Sequence, residues 1–121
     1  MACPLIAPKN DAPPPDVLLI PLEAPTAVTS EVATIAVMGE IDICTVGILD
    51  QQVTRALGHY PQRLVIDLTG VRFMGAVGVN ALIQARVRAS AQSCQVYLRG
   101  TKPAVARTLR SLSATELFTT L

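Results

Sequence analysis

The stretch Leu64–Leu82, LVIDLTGVRFMGAVGVNAL, decides the fold of this chain of 121 residues. Residues 64–68 form an apolar run broken only by Asp67, which is typical of a strand buried on both faces of a parallel sheet. Small and polar residues at 69–70 predict a turn, and GAVG at 75–78 predicts a second one. Further on, apolar residues recur at the spacing of one helical face, namely Val79, Leu82, Ile83 and Val87. The stretch therefore predicts a strand, a tight loop and a helix whose first amide groups lie unpaired in that loop.

Length and composition place the chain in one α/β domain. Half of the residues are apolar and only 3% are aromatic, so the core must be built from Leu, Ile, Val and Ala. The formal net charge of +1 gives no long-range field that attracts nucleic acid or acidic lipid, and no nucleic-acid partner is expected. The sequence shows neither a signal peptide nor an apolar run that spans a bilayer, which predicts a cytoplasmic protein without membrane insertion.

The order of elements can be followed along the chain. Residues 1–16 are rich in proline, which fixes φ and removes backbone donors, so a flexible leader is expected before a domain of residues 17–121. The expected elements begin with strand 17–22 and strand 32–38, which Gly39 ends, followed by a helix through 46–57 that Asp42 or Thr45 caps. That helix has an apolar stripe of Val46, Leu49, Val53 and Leu57, and Gly58 ends it. Strand 64–68, a helix through 79–87 and strand 94–98 follow, and a helix from Pro103 turns Val105, Leu109 and Leu112 inward. This order is β-β-α-β-α-β-α, and right-handed crossovers pack the helices back against the sheet.

Signals of catalysis are weak. The single histidine, His59, precedes a proline in a predicted turn, and no nucleophile and base can be placed around it. Gly75–Gly78 is not a dinucleotide or P-loop motif, and no metal-ligand spacing occurs. We therefore expect no enzyme, no cofactor and no metal. Glu40 and Asp42 follow the end of the second strand, where they form either a polar turn with a helix cap or part of a functional surface.

Three cysteines are present, Cys3, Cys44 and Cys94, an odd number without paired spacing. The simplest interpretation is reduced thiols, with Cys44 and Cys94 behaving as small apolar residues. A redox switch between Cys44 and Cys94 is the alternative.

Three separated blocks together resemble one family. GEID at Gly39–Asp42, VIDLTGVRFM at Val65–Met74 and the helix start at Gly78-Val79 are similar to the STAS domain, and above all to its branch of bacterial anti-sigma factor antagonists. The likeness runs from about Val32 to Phe118 and includes KPAVARTLRSLSATELF, which is similar to the closing helix and tail of that family. Each block alone is common, but the three in this order are specific.

The resemblance implies a fold and a function. The implied fold is a STAS-like α/β fold, with a small mixed sheet of about four strands and helices packed mainly on one face. The implied partner is an anti-sigma factor of the ATP-binding serine kinase type, whose capture releases a sigma factor. In the family, the loop before the second helix reads Asp-Ser-Ser-Gly, and phosphorylation of its first serine abolishes binding. Here Ala76 occupies the phosphoacceptor position and has no hydroxyl, so we expect no regulation by phosphorylation there.

The expected partner surface is a small exposed apolar knob of Met74, Ala76 and Val77, rimmed by charged side chains. The partner-binding residues implied in this way are Glu40, Asp42, Arg72, Met74, Gly75, Ala76, Val77 and Gly78. The alternative is that Met74 points into the core and that Gly75 serves only the turn. Other functions stay open: a STAS scaffold subunit of a stress-signalling or lipid-transport assembly, or a nucleotide-binding regulatory module.

Overall fold

A computed structural model describes residues 31–121 of the chain. The elements are β1 (Val32–Ile41), α1 (Val46–Leu57), β2 (Arg63–Met74), α2 (Ala76–Ser90), β3 (Gln95–Arg99), α3 (Pro103–Ser111), a 3-10 turn (Thr115–Leu117) and β4 (Thr119–Thr120). The predicted leader 1–16 and the predicted first strand 17–22 lie outside the described residues.

The described strands form one sheet in the order β1-β2-β3-β4. Each strand pairs in parallel with the next one along the chain. The helix α1 connects β1 to β2, and α2 connects β2 to β3, whereas α3 and the 3-10 turn together connect β3 to β4. Right-handed crossovers between neighbouring strands place the helices on the same face of the sheet. This arrangement confirms the predicted α/β fold with helices on one face. Within residues 31–121 every pairing is parallel, whereas the resemblance implies a mixed sheet.

The core lies between the sheet and the helices. Alternate strand residues point into it, and the central strand contributes Leu64, Ile66 and Leu68, all fully buried. As the composition predicts, aliphatic side chains dominate this core, and Phe118 is its one aromatic member among the described residues.

The helices follow the predicted pattern with two exceptions. On α1 the predicted apolar stripe faces the core, and Gly58 ends the helix as expected. Pro103 begins α3, and Val105 and Leu109 are buried, but Leu112 is exposed because α3 ends at Ser111. The prediction that Leu112 faces inward is therefore wrong.

The buried face of α2 differs from the predicted one. Val79 and Leu82 are buried as expected, but Val87 is exposed and Ala85 and Ala89 take its place in the core. Alanine is only weakly hydrophobic, so it contributes little to the periodic pattern, yet its small side chain lets a helix approach the sheet closely. The pattern therefore shifted the predicted face toward the larger valine.

The central strands are longer than predicted, because two β-bulges replace the expected turns. β1 continues through Gly39, which adopts φ of 101°, and β2 continues through residues 69–70. The register shifts between Ala36 and Met38 and again between Gly39 and Glu40, and β2 carries the extra residue each time. The predicted turn at 69–70 and the predicted strand end at Gly39 are both wrong. Thr69 therefore lies in the first bulge, and Gly39 lies in the other strand, next to the second.

Candidate functional site

A single residue, Gly75, links β2 to α2. It is the N-cap of α2, with φ of −83° and ψ of 179°, and Ala76 is the first helical residue. The Gly75 amide donates to the Ile41 carbonyl oxygen at 2.9 Å, and the Gly75 carbonyl oxygen accepts from the Gly78 amide at 2.9 Å. The predicted strand, tight loop and helix are confirmed, but most of GAVG is the first turn of the helix. We call residues 75–78 the junction.

The junction is apolar in its side chains and positive in its backbone. Gly75 has no side-chain oxygen, α2 has no side-chain cap, and its first turn contains no acidic residue. The amides of the first turn of a helix have no intrahelical acceptor and lie at the positive end of the helix dipole. The amide groups of Ala76 and Val77 therefore have no acceptor within the helix, and the junction carries no charged side chain of its own.

The structure places Met74 in the core, not at the surface. Its relative exposure is 1%, and a Cβ atom at Gly78 would lie 2.4 Å from Met74 Cγ and 2.9 Å from Ile41 Cγ2. The prediction of an exposed Met74 is therefore wrong, and the alternative, that Met74 points into the core, is confirmed. Gly78, a predicted partner-binding residue, is buried beside it. The two bulges in β2 shift the alternation twice, so Leu68, Val71 and Met74 all reach the core face.

The exposed apolar residue of this strand end is Phe73. Its side chain is 50% exposed, and its ring lies against the junction, with Cε2 3.6 Å from the position of a Cβ atom at Gly75. Ala76 is exposed beside it and Val77 is half-buried. Sequence analysis missed Phe73, although strand alternation contains the signal: if Met74 points inward, its neighbour points outward. We call Phe73, Gly75, Ala76 and Val77 the junction surface.

One ion pair borders the junction surface. Arg72 Nη2 lies 3.8 Å from Glu40 Oε2, and both side chains are mostly exposed. Glu40 pairs with Phe73 across the two strands, so its side chain lies next to that of Arg72. A pair this exposed contributes at most about 1 kcal/mol to stability.

Asp42 is half-buried and already bound within the chain. Its Oδ1 accepts from the Cys44 amide at 2.9 Å and from the Thr45 hydroxyl at 3.1 Å. Thr45 is the N-cap of α1, but its hydroxyl lies 2.9 Å from the Glu40 carbonyl oxygen and makes no capping bond to a helix amide. Asp42 therefore organises the loop before α1 and is not an open rim charge.

A second polar cluster joins β2 to β3 away from the junction. Asp67 Oδ1 accepts from the Thr69 amide at 2.9 Å and from its hydroxyl at 2.6 Å, and Arg99 Nη2 lies 3.3 Å from Asp67 Oδ2. Partial burial by itself would raise the pKa of Asp67, but the hydrogen bonds from Thr69 and the guanidinium of Arg99 outweigh it and hold the pKa below its usual value. Because Asp67 pairs with Arg99 in the ladder, the cluster stabilises the sheet.

The structure does not join the two described cysteines. Cys94 is a free thiol, is buried, and has a pKa raised by burial. Cys44 is disulfide-bonded, so the prediction of a reduced thiol there is wrong. Cys44 follows the carboxyl end of β1 and Cys94 precedes the amino end of β3. These are opposite ends of a parallel sheet, whereas a disulfide requires Cα atoms within about 7 Å. The hypothesis of a switch between Cys44 and Cys94 is therefore wrong.

Residues 31–121 were also compared with the requirements of a metal site and of a membrane-spanning helix. Between residues 31 and 121, no three side chains of His, Cys, Asp or Glu gather as a metal site would require. In the same range no helix combines the length and the apolarity needed to cross a membrane. His59 lies exposed in the turn after α1.

The fold and the site together define a small α/β module with an apolar surface at the amino end of α2. The family model for the STAS domain matches residues 23–121. The chain therefore belongs to the STAS domain family.

Individual relatives point to one branch of this family. The anti-sigma-F factor antagonist RsfB of Mycobacterium tuberculosis is 34% identical over 67 residues, which cover 50% of this chain and 55% of RsfB. The chain thus spans about half the length of the curated relatives it matches. An anti-sigma factor antagonist from Mycobacterium paratuberculosis is 26% identical, with a TM-score of 0.74 over 88% of this chain and 87% of that one. The antagonist SpoIIAA in its unphosphorylated form shares the fold at 18% identity, with a TM-score of 0.67 over 78% and 83% of the two chains.

Proposed function

We propose that this protein is an anti-sigma factor antagonist, which binds an anti-sigma factor through the junction surface and so releases a sigma factor. The observation that carries the proposal is the exposed, uncharged start of α2, with Ala76 and Phe73 open to solvent. The names of RsfB and of the Mycobacterium paratuberculosis protein support this function for related chains.

The chemistry of the junction surface suits a protein partner. Phe73 supplies a large apolar side chain, and aromatic residues are enriched among those that dominate binding energy. Ala76 is small enough to let a partner backbone come close to the first turn of α2. The Ala76 and Val77 amides then donate to carbonyl or carboxylate oxygens of the partner. Contact area and backbone hydrogen bonds would thus come from the same few residues.

We propose further that the partner is an anti-sigma factor of the ATP-binding serine kinase type, and that this kinase cannot silence the chain at the junction. A phosphoserine at position 76 would add about −1.5 to −2 charges, which the free amides would hold and which would disturb an apolar contact. Ala76 has no hydroxyl that could accept the phosphate. The family resemblance supports the kinase type, and the residue at position 76 supports the absence of this control.

The test is a charge placed at position 76. The anti-sigma factors encoded in the source genome are produced as a panel, and calorimetry measures their affinity for the full chain and for Ala76→Glu. We expect the substitution to weaken binding of the cognate anti-sigma factor at least tenfold, about 1.4 kcal/mol, because a carboxylate is desolvated in the contact. Gln84→Glu adds the same charge to an exposed position two turns further along α2 and should bind within twofold of wild type.

Two outcomes would contradict the proposal. If the wild-type chain binds no member of the panel, it is not an antagonist of these anti-sigma factors. If it binds one and Ala76→Glu binds equally well, the junction surface is not the contact. A complementary assay adds the chain to a preformed sigma–anti-sigma complex and follows free sigma factor by native mass spectrometry. Release is expected from wild type and not from Ala76→Glu.

A further inference from the structure

We propose that Ile43 is a second apolar contact residue beside the junction surface, and that Asp42 is a positioning residue that holds it outward. The inference rests on the proposed function, because it concerns how the same partner is bound. It assigns Asp42 a role within the chain rather than a direct contact with the partner.

Hydrogen bonds between backbone groups and from backbone amides to side-chain oxygens close the loop from Asp42 to Thr45. The Thr45 amide donates to the Asp42 carbonyl oxygen at 3.1 Å, which makes the four residues a β-turn. Asp42 Oδ1 accepts from the Cys44 amide, and the Asp42 amide donates to the Thr45 hydroxyl at 2.9 Å. The Asp42 side chain thus replaces a backbone acceptor inside the turn. These bonds, together with the disulfide of Cys44, fix the path of the loop without involving the Ile43 side chain.

Ile43 is the residue that this fixed turn exposes. Its side chain is 72% exposed, whereas Ile41 on one side is fully buried and Thr45 on the other is nearly so. A single exposed isoleucine is ordinary on a protein surface. Here, however, hydrogen bonds already order the backbone of the turn, so little backbone conformational entropy remains to be lost when a partner covers the side chain.

The turn lies next to the junction. Ile41 pairs with Met74 across the two strands, and its carbonyl oxygen accepts from the Gly75 amide at 2.9 Å. β1 therefore passes into the Asp42–Thr45 turn at the level where β2 passes into α2. Ile43 and Phe73 are thus exposed apolar side chains at the same end of two neighbouring strands.

The charges around these side chains indicate what kind of partner surface would be complementary. The Arg72–Glu40 ion pair borders the strand end and carries no net charge, and the Asp42 carboxylate is bound within its turn. A complementary partner surface therefore has an apolar groove wide enough for an aromatic and an isoleucine side chain. At its edge, opposite the ion pair, it has an acidic group facing Arg72 and a basic group facing Glu40. We commit to the anti-sigma factor as the protein that carries this groove.

The first test removes the side chain. Against the cognate anti-sigma factor identified with wild type, we expect Ile43→Ala to raise Kd about tenfold. Tyr60→Ala is the matched control: Tyr60 is 73% exposed but precedes the amino end of β2, at the far end of the sheet, and its Kd should stay within twofold of wild type.

The second test separates positioning from direct contact. Asp42→Asn keeps an oxygen acceptor and should bind like wild type, whereas Asp42→Ala should raise Kd about fivefold. In the Ile43→Ala background, Asp42→Ala should have no further effect, because it acts only through Ile43. A readout without any partner is hydrogen exchange of the Cys44 amide, which should speed up at least tenfold in Asp42→Ala and remain slow in Asp42→Asn.

The outcomes are distinguishable. If wild type binds no anti-sigma factor, the proposed function fails and takes this inference with it. If wild type binds and Ile43→Ala binds equally well, only the contact role of Ile43 is overturned. An equal loss on Asp42→Ala in both backgrounds, or a loss that Asp42→Asn does not rescue, would mean that Asp42 itself touches the partner and does not act by positioning.

Discussion

Replacing Gly78 by alanine tests how the junction is held against the core. Gly78 is the third residue of α2 and is buried on β2. An added Cβ atom would lie 2.4 Å from Met74 Cγ, 2.9 Å from Ile41 Cγ2 and 3.0 Å from Met74 Sδ. All three atoms belong to side chains that are themselves buried, so none can move into solvent. The added methyl group must therefore displace the helix or force a core side chain away from its preferred rotamer.

The magnitude follows from two opposing terms. Overpacking a core by one methyl group typically costs about 1–3 kcal/mol, and the 2.4 Å approach argues for the upper part, about 2–3 kcal/mol. Alanine also gains about 1 kcal/mol over glycine in a helix. We expect Gly78→Ala to lower the free energy of unfolding by about 1–2 kcal/mol, the difference between these terms.

Gly47 provides the matched control. It lies in the first turn of α1, and an added Cβ atom there would meet no other atom within 4 Å. Gly47→Ala therefore keeps only the favourable term and should raise the free energy of unfolding by about 0.5–1 kcal/mol. The two glycine-to-alanine substitutions should thus have opposite signs.

Urea unfolding followed by circular dichroism measures both effects, and an unchanged m value shows that the denatured state is comparable. A variant with Met74→Ala as well should lose less stability than the sum of the two single changes, because truncating Met74 leaves room for the methyl group added at position 78. If Gly78→Ala were as stable as Gly47→Ala, α2 would not press on Met74 at the junction. Met74 and Gly78 would then not hold the junction against the core.

The remaining predictions concern charge. Asp67 has a folded-state pKa below its ordinary value of 3.8, so its contribution to stability is present above that value and is lost as the pH falls through the lower, folded-state pKa. Asp67→Asn should flatten this part of the acid dependence of urea unfolding. An acid profile identical to that of wild type would contradict the Thr69 and Arg99 interactions. Ala76→Ser introduces a hydroxyl at the junction. We expect the cognate kinase with ATP to attach one phosphate there, which intact-mass spectrometry detects, and this phosphate should abolish binding. Asn80→Ser, at an exposed position of α2, is the control, and a phosphate on neither variant would argue against a kinase partner.

Hydrophobic periodicity predicted most of the elements because burial against one face imposes a period of 2 on strands and 3.6 on helices. It placed Leu64, Ile66 and Leu68 in the core and found the buried stripe of α1, while the proline at position 103 marked the start of α3. It misplaced the buried face of α2, where alanines do the packing. Periodicity weights large side chains, whereas close helix packing favours small ones.

The bulges could not be predicted from local sequence. Gly39 and residues 69–70 have the composition of turns, and whether such residues reverse the chain or form a bulge depends on the partner strand, which is distant in sequence. At Gly70 an added Cβ atom would lie 2.8 Å from Met38 Cγ, so glycine is needed there for the close approach of β1. The error at Met74 follows from the same cause, since the expected turn removed the alternation that would have turned Met74 inward.

The feature that defeated sequence prediction also displays the candidate site. β2 pairs with β3 only as far as Asp67, but the bulges let it continue along β1 as far as Met74. The two strands therefore extend past the end of β3 as a two-stranded ribbon, and the junction lies at its end. Met74 and Gly78 fasten the inner side of this end to the core, which leaves Phe73 on its outer side. If the ribbon displays the site, a partner would cover Phe73, Ala76 and Ile43 without disturbing the sheet. Hydrogen exchange on binding should then slow at residues 40–45 and 72–77 and stay unchanged along β3, and protection spread over β3 would show that the contact lies elsewhere.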